Sequence, residues 1–360
     1  MAVTLADVAA RAGVSAATVS RVLSGNYPVA GATRSRVLRA VEELEYVVNG
    51  PASALAAARS DLVGVLVHDV ADPFFGVLAG AVQGALDPPD GVGGKLAVVC
   101  NTGGSPEREL NYLTLLQRQR AAAVVLTGGA VADAAHQEAL ATRVRRLAAA
   151  GTRVVLCGRP PLAGEPDGAL TLAFDNRGGA RRLTEHLLAL GHRAIGCVAG
   201  PRERTTTRDR LAGHHAALRA AGLPEESGPV VHGGYDRSAG YDGARELLRR
   251  APGLTAVVAG NDTLALGVCA ALRDAGLRVP QDVSVAGFDD LPFSQDAAPA
   301  LTTVRLPLQE AGARAGRLAL GAEEPPPGAV ATVQAELMVR ASTSAPRRTK
   351  RPTPTGTARG

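Results

Sequence analysis

The chain has 360 residues, with 39 Lys and Arg against 34 Asp and Glu and a formal net charge of +5. That length exceeds one average domain and allows two or three cores. No apolar run reaches the roughly 18 residues of a membrane helix, and the start lacks the basic region, apolar core and cleavage site of a secretory signal, so a cytoplasmic protein is expected.

Residues 3–23, VTLADVAARAGVSAATVSRVL, hold two short amphipathic patterns with a break between them. Leu5, Val8, Ala9 and Ala12 recur at helical spacing. Thr4 and Asp7 have the spacing of a capping box, and Gly13 suits the left-handed turn that stops a helix. Ser15 can then cap a second helix whose inner face is Val19, Val22 and Leu23. A third helix is expected near Thr33–Glu45, with Val37, Leu38, Val41 and Leu44 as its apolar stripe. Two helices of about two turns around a Gly-containing turn form a helix-turn-helix unit; the same spacing also suits a three-helix bundle with no ligand.

The outward face of the second helix carries Ala16, Ala17, Thr18, Ser20 and Arg21, none of them acidic. An Arg there can bond a guanine edge twice, and Ala methyls can pack on thymine methyls. Thr18, Ser20, Asn26 and Thr33 suit phosphate contacts. Through residue 41 there are five Arg and one Asp, a modest basic excess that suits DNA.

The segment NGPASALAAARS, residues 49–60, follows. Asn49 can cap, Pro51 suits a first turn and the alanines favour helix, but a helix this short is marginal alone in water and reads as a hinge. From residue 61 the texture changes. LVGVLVHDV, KLAVVCNT, AAVVLTGG and RVVLCGR read as buried parallel strands, separated by helices near 75–86, 106–119 and 133–150. A second series reads LTLAF, AIGCVAG, PVVHG, AVVAGND and SVAGFDD. Such repetition implies parallel sheets covered by helices, in two similar subdomains.

Ligands of such folds bind beyond the carboxyl ends of the strands. Asp69, Asp72, Asn101, Asn261, Asp262, Asp289 and Asp290 follow strands and should face a cleft, although each alone could be a helix cap or a solvated loop residue. With Phe74, Phe75 and Tyr235 as stacking faces, the set suits a sugar. The loop LDPPDGVGGK (86–95) reads as surface, and His214 and His215 as surface or packing residues. Cys100, Cys157, Cys197 and Cys269 lack C-x-x-C spacing, so buried thiols are expected, with no metal and no cofactor. The tail, residues 346–360, carries five of the positive charges, reads as disordered and lacks a heptad repeat.

The stretch TLADVAARAGVSAATVSRVLSG, followed by YPVAGATRSRVLRAVEELEYVVN, resembles the head of the lactose-repressor/galactose-repressor (LacI) family of bacterial transcription regulators, and the resemblance runs from about residue 3 to 343. It implies an all-α helix-turn-helix head (1–48), a hinge (49–60) and a periplasmic-binding-protein-like α/β effector and dimerisation domain (61–345) of two doubly wound parallel-sheet subdomains. The first subdomain would span about 61–160 plus 291–320, and the second about 161–290 plus 321–345. It further implies a homodimer on a roughly palindromic operator, without a membrane, in which Ala16, Ala17 and Arg21 read bases. Thr4, Ser15, Asn49 and Ala52 would contribute DNA contacts, and Leu55 would wedge into the minor groove. The effector contacts implied are Asp72, Phe74, Phe75, Arg204, Thr206, Arg210, Tyr235, Asn261, Asp262 and Asp289, with a sugar as the expected ligand. Other members answer to a purine or a phosphoprotein partner. No nucleophile elbow, P-loop or dinucleotide fingerprint points to an enzyme.

Overall fold

A computed structural model describes residues 3–24, 28–46, 60–87, 94–162, 168–224 and 228–347. Asn26, Asn49, Ala52 and Leu55, the expected hinge apart from Ser60, most of the 86–95 loop and most of the basic tail lie outside the described residues. The chain divides into two compact units, residues 1–60 and 61–360.

The first unit contains α1 (Leu5–Ala12), α2 (Ala16–Ser24) and α3 (Gly31–Glu43). The capping box is formed: the Asp7 carboxylate accepts the Thr4 backbone N–H at 2.8 Å, and the Thr4 hydroxyl accepts the Asp7 N–H. Gly13 ends α1 in the left-handed region, at φ 64°. The Ser15 hydroxyl accepts the Thr18 N–H at 3.2 Å and so caps α2. Val8, Ala9, Ala12, Val19, Val22, Val37 and Ala40 close a small core. Leu38, expected in the apolar stripe, is instead 45% exposed. The α3 face packed inward is Val37 and Ala40, with Val41 and Leu44 beside them, because a short side chain lets α3 approach its neighbours.

The second unit begins with β1 (Leu62–Val67), α4 (Pro73–Leu86), β2 (Leu96–Asn101), α5 (Pro106–Arg118), β3 (Ala123–Thr127), α6 (Ala134–Ala149), β4 (Arg153–Cys157) and β5 (Ala169–Phe174). There follow α7 (Asn176–Ala189), β6 (Ile195–Ala199), α8 (Thr205–Ala220), β7 (Val230–His232), α9 (Arg237–Arg250), β8 (Ala256–Ala259), α10 (Asp262–Asp274) and β9 (Ser284–Ala286). The last elements are α11 (Phe293–Asp296), β10 (Thr303–Arg305), α12 (Leu308–Leu320), β11 (Val330–Val333) and β12 (Glu336–Met338).

Two parallel sheets result, with strand orders β11-β5-β4-β3-β1-β2 and β7-β6-β8-β9, plus an antiparallel β10-β12 pair. Alternation along the strands fills both faces of the first sheet. Val63, Val65 and Val67 join α4 and α12 in one core, while Leu66 joins α5 and α6 in another. The subdomain boundaries differ from the sequence expectation. LTLAF is not the opening strand of the second sheet: β5 pairs with β4 from Val154↔Ala169 onward, so the chain crosses between lobes after Phe174 rather than near 160. Residues 330–333, expected in the second lobe, pair with β5 as the edge of the first sheet. Both are buried parallel strands, and hydrophobicity alone does not say which of two sheets such a strand joins. Among the described residues, no helix is long and apolar enough to cross a membrane.

The capping box supports the head directly. Thr4→Ala should lower the stability of the first unit by about 1 kcal/mol. Denaturant unfolding followed by a fluorophore placed in that unit checks this; an unchanged midpoint would mean the box is dispensable.

Candidate functional site

In the second unit, strand ends of both lobes meet at one cleft with about 520 Å³ of open space, part of it continuous with solvent. From the first lobe come His68 after β1, Asp72, Phe74 and Phe75 at the start of α4, Gly128 and Gly129 after β3, Gly158 after β4 and Phe174 at the end of β5, with Asn176 where the chain enters the second lobe. From the second come Arg204, Thr206 and Arg210 at α8, Tyr235 after β7, Asn261 after β8 and Asp289 after β9.

The aromatic wall is built by local capping. The Asp72 carboxylate accepts the Phe74 N–H at 3.0 Å and starts α4 at Pro73, fixing the two phenylalanines at the helix entrance. The Phe74 and Phe75 rings meet edge to face at 5.0 Å, and Phe74 meets Phe174 at 6.3 Å. Gly128 and Gly129 make room. A Cβ at Gly128 would lie 2.5 Å from the Phe75 ring, and one at Gly129 would lie 2.0 Å from the Thr206 hydroxyl.

Arg210 organises the opposite wall. Its Nε donates to Asn176 Oδ1 at 2.9 Å, its Nη1 to the Gly260 carbonyl, and its Nη2 to Asp289 Oδ1 at 2.7 Å. The guanidinium lies 3.7 Å from the centre of the Phe288 ring. Asp289 holds φ 104° and Asp290 φ 55°, left-handed conformations that cost a non-glycine residue roughly 1–3 kcal/mol. The Asp289 N–H donates to the Val304 carbonyl at 2.7 Å, which helps hold the turn and aim the carboxylate into the cleft. Burial pushes the Asp289 carboxyl up to about 7, against the pull of Arg210. Asn261 caps α10, accepting the Leu264 N–H at 2.8 Å.

The lobes also join beside the cavity. The Arg204 guanidinium donates to the Gly129 carbonyl at 2.6 Å, the Thr205 N–H to the Ala130 carbonyl at 2.9 Å, and the Ala132 N–H to the Glu203 carbonyl at 2.6 Å. Next to this seam, Glu109 accepts from Arg159 and lies 3.0 Å from His136 Nε2. Burial raises the Glu109 carboxyl, but the Arg159 charge and these hydrogen bonds outweigh it and hold the group at about 2.

Nine of the ten effector residues expected from the sequence lie in this wall; Asp262 does not. Its carboxylate faces the second lobe's interior, accepting from the Leu291 N–H at 2.8 Å, the Ser294 hydroxyl at 2.7 Å and the Thr303 hydroxyl at 2.6 Å. Successive residues at a helix start point in different directions, so Asn261 lines the cavity while its neighbour braces the segment after β9. Asp69, Asn101 and Asp290 are also outside the wall; Asp69 accepts the Ala71 N–H, Asn101 the Gly103 N–H, and Asp290 pairs with Arg305 at 2.7 Å. The sequence reading missed His68, Gly128, Gly129, Gly158, Phe174 and Asn176. Each sits at or just beyond the end of a strand, and that position was the available signal. His214 is a packing residue, its Nδ1 2.9 Å from the Thr184 hydroxyl.

In the head, Ala16, Ala17, Ser20 and Arg21 are exposed along α2. Thr18 and Thr33 are half-buried, and the Thr18 hydroxyl lies 2.9 Å from that of Ser15. The Thr4 hydroxyl donates to Asp7 at 2.7 Å and so belongs to the helix cap.

A three-helix head with an exposed second helix and a two-lobed α/β body define a DNA-binding regulator of transcription. Two sequence families match: "Bacterial regulatory proteins, lacI family" over residues 4–49 and "Periplasmic binding protein-like domain" over 184–343. The chain is 32% identical to the HTH-type transcriptional regulator DegA of Bacillus subtilis over 349 residues, covering 96% of this chain and 99% of DegA. It resembles the lac repressor dimer bound to operator and the anti-inducer ONPF, with a TM-score of 0.76 and 27% identity over 96% of this chain and 100% of that one. It also resembles a complex of the transcriptional regulator CelR with cellobiose, with a TM-score of 0.65 and 34% identity over 94% and 99% of the two chains. The chain belongs to the LacI family of bacterial transcriptional regulators.

The role of Asp262 has a pH signature. Burial pushes its carboxyl up to about 6, against three hydrogen bonds that lower it. A raised folded-state pKa contributes stability below the unfolded value near 4 that is lost as the pH rises through 6. Asp262→Asn removes this contribution, so its deficit in stability relative to the parent should shrink between pH 4 and pH 8. Urea titrations across that range check it, and a constant deficit would assign the pH dependence elsewhere.

Proposed function

We propose that this regulator is a repressor of carbohydrate-utilisation genes whose affinity for a roughly palindromic operator is set by a sugar in the cleft. The carrying observation is the pairing within one cavity of aromatic faces, Phe74, Phe75 and Tyr235, with hydrogen-bonding groups on Asp72, Asn261, Asp289 and Arg210. Aromatic faces stack on the C–H side of a sugar ring, and converging carboxylates and amides fix its hydroxyls. The cellobiose complex of CelR supports the choice of ligand class. In this reading the nine lining residues expected from the sequence are the effector contacts, and two copies of the chain place two heads on one operator in the cytoplasm.

Ala16, Ala17 and Arg21 read the major groove, while Ser15, Thr18, Ser20 and Thr33 contact the backbone. Asn26, Asn49, Ala52 and Leu55 serve DNA contact and the hinge, with Leu55 as the minor-groove wedge. An effector that prefers one arrangement of the lobes by about 3 kcal/mol shifts operator affinity roughly a hundredfold.

Two outcomes are expected from titrating the purified protein onto labelled DNA from its own upstream region at fixed salt. One monosaccharide or disaccharide should change the affinity tenfold or more; binding indifferent to every sugar would overturn the sensor reading. Arg21→Ala should weaken specific binding by about 1–3 kcal/mol and relax preference at one base pair. Uniform weakening on all sequences would reassign Arg21 to the phosphates.

A further inference from the structure

The two ends of the cleft differ in charge. At the Arg210 end the cation is matched: all three guanidinium nitrogens donate to acceptors, one of them the Asp289 carboxylate. At the other end, Arg204 is only 9% exposed, and its hydrogen bond is to a neutral group, the Gly129 carbonyl. Among the described residues no carboxylate pairs with it. Two acids act on it through space, but Glu109 is engaged by Arg159 and His136 and Glu203 is exposed to solvent. Burial, and then the Arg159 charge, pull the Arg204 guanidinium below its ordinary range, the mark of a cation short of compensation.

Two further observations point the same way. Arg204 is the N-cap of α8, a 16-residue helix with no side-chain cap, so the positive end of the helix adds to the guanidinium. His68, beside it in the wall, has a buried Nδ1 without a partner, and burial followed by the Arg204 charge holds the ring neutral, down at about 4. A buried cation at a helix N-terminus is completed by an anion.

The geometry points to an acidic sugar as the effector, an aldonate or uronate whose carboxylate sits on Arg204 at the start of α8 while its hydroxyls reach Asp72, Asn261 and Asp289. A carboxylate fits better than a phosphate. One guanidinium fork matches two carboxylate oxygens, whereas a dianion would leave a charge uncompensated in a cleft that already holds Asp72 and Asp289. The inference rests on the sugar-sensor reading and adds the charge of the ligand.

The test is calorimetric titration of the full-length protein with glucose, galactose and cellobiose, with gluconate, glucuronate and galacturonate, and with the hexose 6-phosphates. At least one sugar acid should bind tenfold or more tighter than its neutral parent. Arg204→Met should weaken the acid far more than its neutral parent, bringing the ratio of their two affinities to within about threefold of one. The comparison among ligands on the unmodified protein stands even if the variant does not fold. Tightest binding by a neutral sugar or a phosphate, or an acid preference that survives Arg204→Met, overturns the inference and leaves the sugar-sensor reading in place. If no carbohydrate binds while the protein still holds its operator, both fail together.

Discussion

The body depends on where Arg210 can place its charge. A buried guanidinium is costly unless every donor finds an acceptor and the charge finds a partner. Here the acceptors come from three strand ends: Asn176 after β5 of the first sheet, Gly260 after β8 and Asp289 after β9. One side chain on α8 thereby ties together the point where the chain enters the second lobe and two of that lobe's strand ends. Removing either member of the Arg210–Asp289 pair would leave the other a buried charge without its counter-ion, so the pair holds the second-lobe wall of the cleft in shape.

The strained turn at 289–290 follows from the same constraint. An aspartate in the left-handed region is unfavourable, yet the turn is held between the Asp289–Val304 hydrogen bond and the Asp290–Arg305 ion pair. The result is a carboxylate aimed along the cleft rather than along the strand. Asp262, one shell further in, braces the same segment through Leu291 and Ser294 and reaches β10 through Thr303. The buried acids of the second lobe thus divide their work. One faces the cavity, and the other holds the backbone that presents it.

Much of this was legible in the sequence where the signal is local. Thr4, Asp7 and Gly13 mark the ends of α1 because capping involves residues a few positions apart. The strands of the body were visible as apolar runs, and the polar residues after them identified most of the cleft. What local pattern could not supply was partnership at long range. LTLAF is apolar whichever sheet it joins, and only its pairing with β4 places it. Leu38 outranks Ala40 in hydrophobicity, yet close helix packing favours the smaller side chain. Asp262 follows a strand beside a cavity residue, and only the arrival of Ser294 and Thr303 shows that it turns away. The glycines of the wall carry no chemistry of their own, and their role appears once Phe75 and Thr206 are seen against them.

The proposal that the cleft governs DNA affinity makes a demand that thermodynamics does not relax. If a ligand changes operator affinity by some factor, operator must change ligand affinity by the same factor, because both report one coupling free energy. The direct measurement is the dissociation constant of the effector for free protein and for protein saturated with operator DNA, at one salt concentration. The account predicts two constants that differ tenfold or more, by the same factor that the ligand imposes on operator binding. Equal constants would contradict it, leaving a DNA-binding head and a ligand-binding body that share a chain without sharing a signal.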